Sequence, residues 1–176
     1  MIETLRRRRL AGQALYALLF LAVLFWRLMP LDPGRIAWPG PDLGLCLTFA
    51  WLLRRPDQVS PWLVVALFLV EDLLLMRPPG LWPALVLLGT EAARRREARW
   101  RELPFVVEWL RVSALLGLMM LANRMVLAIF FVPLAPPGQA IMQFVATIAA
   151  YPLVVGLLRW PLGLRRAPGD ADTGNR

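Results

Sequence analysis

The sequence predicts an all-α integral membrane protein with about six transmembrane helices. Three observations support this class: 59% of the 176 residues are hydrophobic, they occur in blocks with the charges between them, and the arginines concentrate in alternate loops. A bilayer demands such segregation, because its hydrocarbon core solvates apolar side chains but offers the backbone no hydrogen-bond partners. Each apolar block is therefore expected to be a helix, which satisfies its own backbone.

The first apolar block is residues 10–29. At about 1.5 Å per residue it is long enough to cross about 30 Å of hydrocarbon. A signal peptide also opens with a basic region, but this block is longer and ends at Arg27 and Pro30 without a small-residue cleavage site. We interpret it as a retained first helix.

Five further blocks follow, separated by segments rich in proline, glycine and arginine. They are residues 42–53, 61–76, 81–93, 103–132 and 139–160. The second and fourth of the six blocks are shorter than a normal span, so each is either a re-entrant segment or a short helix shielded by its neighbours. The predicted organisation is a basic cytoplasmic N-terminus at 1–9, a six-helix transmembrane domain at 10–164 and a disordered cytoplasmic tail at 165–176.

Arginine placement predicts the orientation. With six crossings, one side receives the N-terminal arginines, the pair at 54–55, the dense group at 94–101 and the C-terminal pair. The loops on the other side receive only Arg35 and Arg77. This is the positive-inside pattern of an inner-membrane protein, and it predicts that both termini are cytoplasmic.

The tryptophans predict the same boundaries, because this residue is enriched at both membrane interfaces. All eight are expected in aromatic belts. Near the outer boundary are Trp26, Trp38 and Trp82, and near the inner one are Trp51, Trp62, Trp100, Trp109 and Trp160.

The missing residue types exclude whole function classes. The chain has no histidine and no lysine, one cysteine, Cys46, and two serines, Ser60 and Ser113. Histidine-dependent catalytic triads, histidine zinc sites and lysine Schiff-base chemistry are therefore excluded. A single thiol also excludes an intrachain disulfide and a cysteine-rich metal site. We expect no catalytic residues, no metal and no cofactor, and hence a protein that is not an enzyme.

The net charge of +8 raises the question of nucleic acid. The basic residues are all arginines, however, and most stand in short loops between apolar blocks. Anionic membrane lipids are therefore the expected counterpart. No nucleic-acid partner is expected.

Ionisable residues inside the apolar blocks, together with one amide, are candidates for function, because each ionisable group costs about 2.5 to 3.5 kcal/mol near the bilayer centre unless it is partnered or solvated. On the predicted topology the candidates gather in the outer half of the bundle. They are Arg27, Asp42, Glu71, Asp72, Asn123 and Arg124. We predict a buried polar network in which the two arginines bridge Asp42 and one of the two acids in the third block.

Several alternatives stay open at this stage. Arg27 and Asp42 are close enough to a block end to reach the headgroups instead of the network. Glu71 and Asp72 are adjacent and point about 100° apart on a helix, so only one is expected to join, and the two do not flank a substrate as an acid–base pair. Glu108 and Arg111, three residues apart, are interpreted as a local surface pair without a function.

Three strings resemble the family of the rod shape-determining protein MreD. The first is Pro41-Asp42-Leu43 opening a short block that closes at Leu53-Arg54-Arg55-Pro56. The second is the acidic position Glu71-Asp72 followed by Arg77-Pro78-Pro79-Gly80, and the third is Asn123-Arg124. Their order and spacing extend the resemblance over nearly the whole chain. Because many family members have Gly or Leu where Glu71 stands, the resemblance favours Asp72 as the functional acid.

The resemblance implies a non-enzymatic membrane component of the bacterial cell-elongation machinery. Such a protein binds the single-span protein MreC and, with it, supports the glycosyltransferase RodA and a penicillin-binding transpeptidase in lateral peptidoglycan synthesis and rod shape. The resemblance also implies a bundle similar to the substrate-binding subunits of energy-coupling-factor vitamin transporters. A small-molecule-binding subunit is therefore the alternative, and a membrane enzyme is disfavoured by the residues that are missing.

Overall fold

The structure, a computed structural model, describes residues 2–29, 40–95 and 104–159. Within these ranges the chain is all-helical, as predicted, with six α-helices, a short 3-10 turn at Pro56–Gln58 and no strand. The helices are α1 (Ile2–Leu28), α2 (Leu43–Leu52), α3 (Pro61–Leu74), α4 (Leu81–Arg95), α5 (Phe105–Ile129) and α6 (Pro137–Arg159). The predicted tail at 165–176, Arg35, Trp38, Trp100 and Trp160 lie outside the described residues.

Three of these helices are long and apolar enough to cross a membrane: α1 from Arg6 onward, α5 and α6. The other three are shorter, with 10 residues in α2, 14 in α3 and 15 in α4. At about 1.5 Å per residue, α2 is about 15 Å long, half the thickness of a bilayer's hydrocarbon core.

The helix boundaries have local causes. α1 begins at Ile2, earlier than the predicted position 10, because arginines are good helix formers and Glu3 in the first turn favours the positive helix N-terminus. Pro61 occupies the first turn of α3, where its missing N–H costs nothing. The turn after α3 contains Met76 with φ +51° and Gly80 with φ +101°, values outside the range of a right-handed helix.

Helix α2 is the centre of the bundle. Every residue from Gly44 to Leu52 is buried, and the helix packs against α1, α4 and α6. A helix that is apolar on all sides needs such an environment. The second apolar block is therefore a short helix buried among its neighbours, and its crossing of a membrane stays a prediction.

The six helices alternate in direction. Arg27 at the end of α1 lies 2.7 Å from Glu71 near the end of α3, and Asp42 precedes the start of α2 at the same place. We call this the cavity end. At the opposite end, Arg9 of α1 donates to the Asp57 carbonyl at 2.7 Å, and Arg94 of α4 donates to the Pro56 carbonyl at 3.1 Å. We call this the arginine end.

Large apolar side chains cover the outside of the long helices. Examples with more than half of their surface exposed are Leu18, Phe25, Leu118, Leu121, Leu153 and Leu157. A soluble monomer rarely exposes so much contiguous apolar surface. The pattern is typical of helices that face lipid or a partner protein.

Four of the five described tryptophans divide into two groups, and the fifth, Trp109, is half-buried and donates from Nε1 to the Ile148 carbonyl at 2.8 Å. Trp26 and Trp62 are exposed, as residues of a lipid-facing belt should be. Trp51 and Trp82 lie at the predicted ends of the bundle but are only 1% and 7% exposed. For these two the predicted place in a belt is wrong, because each ring fills space inside the bundle instead.

Gly89 allows α4 to approach its neighbours closely. A Cβ there would lie 2.5 Å from Met119 Sδ and 3.4 Å from Phe49 Cζ. We expect Gly89→Leu to lower the free energy of unfolding by about 1–3 kcal/mol, because overpacking displaces both side chains. The control is Gly156→Leu in α6, where a Cβ meets nothing within 4 Å. Unfolding in mixed detergent micelles measures both, and equal stability of the two variants would contradict the prediction.

Candidate functional site: a polar cavity at one end of the bundle

An ion cluster joins three helices at the cavity end. Arg27 Nη1 at the end of α1 lies 2.7 Å from Glu71 Oε1 of α3 and 3.9 Å from Asp42 Oδ2. Arg77 Nη1, in the α3–α4 turn, lies 3.9 Å from the same Glu71 oxygen. The Asp42 and Glu71 side chains are each only 3% exposed. Buried carboxylates need such partners, and these two share Arg27.

Asp42 is placed by the start of α2. Its Oδ1 accepts a hydrogen bond from the Leu45 backbone N–H at 3.1 Å, which caps the helix. Its own backbone N–H donates to Thr147 Oγ1 of α6 at 3.0 Å. Asp42 therefore connects α2 to α6 while its carboxylate also faces Arg27.

The Asp72 side chain has different partners from those of its neighbour Glu71. Its Oδ2 accepts a hydrogen bond from the Gly80 N–H at 3.2 Å, which fixes the turn that leads into α4. The residue is 0% exposed, and its Oδ1 has no hydrogen-bond partner among the described residues. The adjacent acids thus diverge, as their helical spacing predicts: Glu71 faces the arginines and Asp72 faces α4.

A cavity of about 710 Å³ opens beside these groups. Its wall is formed by the cavity-end parts of α3, α4, α5 and α6 together with Asp42. The polar part of the lining includes Asp42, Asp72, Arg77, Asn123, Arg124 and Gln143. The apolar part includes Leu81, Leu127 and Val132. Its volume lies in the range of small-molecule sites, about 300–1,000 Å³.

Arg124 and Asn123 lie across the cavity, near the end of α5. Arg124 Nη1 donates to the Ala135 carbonyl at 3.1 Å in the α5–α6 connection. Within the described residues it makes no ion pair with a carboxylate, so the predicted bridge from Arg124 to Asp42 or an acid of α3 is not what the structure shows. Its side chain lines the cavity, and its guanidinium group has further N–H donors besides the one bonded to Ala135.

The six predicted network residues therefore form two connected groups. Arg27 and Glu71 belong to the ion cluster, whereas Asp72, Asn123 and Arg124 line the cavity. Asp42 belongs to both. Arg77, which was not among the predicted network residues, belongs to both groups as well.

A second polar cluster, which was not predicted from the sequence, lies at the arginine end. Glu108 of α5 is 0% exposed, and its Oε1 accepts from Tyr151 Oη at 2.9 Å and lies 3.5 Å from Arg54 Nη1. Arg54 also donates to the Ala50 carbonyl at 2.8 Å. The predicted surface position of Glu108 is wrong. The sequence contains one indication of this contact: Arg54 and Glu108 carry opposite charges and lie on the same predicted side of the bilayer.

The arrangement is suited to holding charged groups. The cavity lining carries two carboxylates, Asp42 and Asp72, and two guanidinium groups, Arg77 and Arg124. The carboxylates of Glu71 and Asp72 face different partners and do not flank one substrate position. The site can therefore bind and orient a ligand that carries both signs of charge.

Comparison with known proteins gives no relative. No protein family, no curated protein and no solved structure matches the chain.

Proposed function

We propose that the chain is an integral protein of a bacterial inner membrane, with six crossings and both termini in the cytoplasm. The alternating helix directions support six crossings, and the exposed apolar surface of α1, α5 and α6 supports contact with lipid. Among the described arginines, only Arg27, Arg77 and Arg124 lie at the cavity end. The cavity end is then the periplasmic one by the positive-inside rule.

The short helices fit this topology because their neighbours shield them. Helix α2 is about 15 Å long, but both of its ends meet polar groups inside the bundle: Asp42 with Arg27 at one end and Arg54 with Glu108 at the other. Short helices are tolerated at membrane depth where the exposed backbone is buried in protein or lines a polar cavity.

Cysteine labelling tests the orientation. In a Cys46→Ala background, we expect Pro79→Cys at the cavity end to react with a membrane-impermeant maleimide on intact spheroplasts. Arg95→Cys, at the end of α4, should react only after the membrane is opened. Both positions are exposed in the structure. Labelling of Arg95→Cys from outside would overturn the topology and the periplasmic place of the cavity.

We infer that the protein is a non-enzymatic component of the cell-elongation machinery that binds MreC and, through it, supports RodA and a penicillin-binding transpeptidase. One observation carries this inference. The three strings that resemble the MreD family are about 30 and 50 residues apart, yet Asp42, Asp72 and Asn123-Arg124 line the same cavity. A spatial cluster of the resembling positions is expected if the resemblance reflects a common structure.

Co-purification and depletion test this function together. A tagged copy of the chain should retain MreC after gentle solubilisation, and cells depleted of the chain should lose rod shape. The Asp57→Asn variant, altered at an exposed position of the arginine end, should behave as the wild type in both assays. Intact rods after depletion, together with no retained MreC, would refute the proposal.

A small-molecule-binding subunit is the second candidate, and the cavity favours it. The volume and mixed lining of the cavity are typical of a ligand site, and the proposed topology has the cavity on the periplasmic side. This candidate predicts saturable binding that Asp72→Ala or Arg124→Ala abolishes. It is compatible with MreC binding, because the cavity and the outer apolar surface are different parts of the bundle.

A further inference from the structure

We propose that the cavity binds a zwitterionic ligand, one with a primary ammonium group held by Asp72 and an anionic group held by Arg124 and the Trp82 indole N–H. This inference rests on the second candidate function, that the cavity holds a ligand. It does not depend on MreC binding. The shared chemistry is found in a free amino acid or a phosphodiester of ethanolamine and in the headgroup of phosphatidylethanolamine.

Unsatisfied buried polar atoms in the cavity wall carry the argument. Asp72 Oδ1 and Trp82 Nε1 are both buried and have no hydrogen-bond partner among the described residues. Both residues line the cavity. A buried polar atom left without a partner costs about 1–3 kcal/mol, more when it is charged. A ligand that offers a donor to Asp72 Oδ1 and an acceptor to Trp82 Nε1 would therefore satisfy both atoms.

The charges of the wall indicate the ligand's charges. Asp42 and Asp72 balance Arg77 and Arg124, so a ligand with no net charge leaves the site neutral. Asp42 is already occupied by the Leu45 N–H and by Arg27. Asp72 is therefore the acid with an oxygen left for an ammonium group, and its fully buried carboxylate has to turn toward the cavity to reach one. Arg124 donates one N–H to a carbonyl and has others for a carboxylate or phosphate.

The group at Asp72 must carry N–H donors. A quaternary ammonium has none, so it would leave Oδ1 unsatisfied. A purely anionic ligand would face both Asp72 and Asp42. The geometry thus favours a primary ammonium over choline and over an anion alone.

The test uses the full-length protein and follows its thermal midpoint. Soluble probes are L-alanine and sn-glycero-3-phosphoethanolamine, added to detergent-solubilised protein. Lipid probes are nanodiscs of phosphatidylcholine, with phosphatidylethanolamine or phosphatidylglycerol added. We expect stabilisation in the soluble arm, in the phosphatidylethanolamine arm or in both, and the responding arm identifies the source. Phosphatidylglycerol and pure phosphatidylcholine should give none.

Variants connect the response to the cavity. Asp72→Asn, Arg124→Gln and Trp82→Phe are each expected to weaken the apparent affinity roughly ten- to a hundredfold. The control Asp57→Asn, far from the cavity, should keep the wild-type response. If Asp72→Asn does not fold, Arg124→Gln and Trp82→Phe decide by the same criterion.

The possible outcomes distinguish failure of the zwitterion assignment from failure of the second candidate function. Stabilisation by phosphatidylglycerol alone, or a response that survives all folded cavity variants, overturns the zwitterion assignment. Mass spectrometry of the gently purified protein then shows whether the cavity holds another compound, in which case the second candidate function stands. No response to any probe and no retained small molecule overturns both.

Discussion

Replacing Arg27 with methionine is expected to lower the free energy of unfolding by about 3–5 kcal/mol, the largest effect of any single change at the cavity end. The loss leaves two carboxylates, Asp42 and Glu71, buried without the cation that lies 3.9 Å and 2.7 Å from them. Arg77, whose Nη1 lies 3.9 Å from Glu71 Oε1, compensates only part of the lost positive charge. Unfolding by a denaturing detergent in mixed micelles measures the change.

A double variant distinguishes charge pairing from lost packing. Glu71→Gln in the Arg27→Met background removes one of the stranded carboxylates, so the double variant should be more stable than the sum of the single changes predicts. The matched control is Arg7→Met, because Arg7 pairs with Glu3 on the surface, with both side chains more than 80% exposed. Its effect should stay below about 1 kcal/mol. Additive effects of Arg27→Met and Glu71→Gln would show that the two side chains do not act as a pair.

Glu108→Leu is also expected to lower the free energy of unfolding by about 3–5 kcal/mol, although from the sequence Glu108 was interpreted as a surface residue without a function. The change leaves Arg54, 5% exposed, inside the bundle without the carboxylate 3.5 Å away. It also removes the acceptor of the Tyr151 hydroxyl. Both effects weaken the contact between the end of α2 and the helices α5 and α6. The same unfolding assay measures the change.

Two further variants rank the contributions within this cluster. Tyr151→Phe removes the hydroxyl that donates to the charged Glu108 carboxylate and should lower the free energy of unfolding by about 1.5–3 kcal/mol. Glu91→Leu breaks a helical pair with Arg94 in which the side chains are 35% and 27% exposed, and should cost less than about 1 kcal/mol. A Glu108→Leu variant no less stable than Glu91→Leu would mean that the buried cluster adds nothing to stability.

Much of the fold was predictable because apolar blocks and their breakers are local signals. Pro61 and Gly80 mark helix boundaries whatever the rest of the chain does. The described helices coincide with the predicted blocks to within a few residues, except at the start of α1. There the arginines, interpreted as a basic tail, continue the helix because nothing in their sequence stops it.

The candidate site was predictable only as a set of residues. Polar residues in apolar blocks are conspicuous, so Asp42, Asp72 and Arg124 could be named from the sequence. A bridge from Arg27 to Asp42 and an acid of the third block was also expected, and the structure contains it. The partners of Asp72 and Arg124 could not be named, because a pair distance depends on helix rotation and on side-chain reach across the bundle. Arg77 and Gly80 lie in a turn whose conformation brings them back over Asp72 and Glu71.

Hydropathy along the chain was enough to predict the helical class, the position of each block and the polar residues that need partners. Which partner most of these residues received depended on how the helices pack. The rotation of α3 turns Glu71 to Arg27 and Asp72 to the cavity, and the burial of α2 brings Arg54 to Glu108. A buried charge needs an opposite charge wherever it lies in the chain, whereas helix packing determines which opposite charge is within reach.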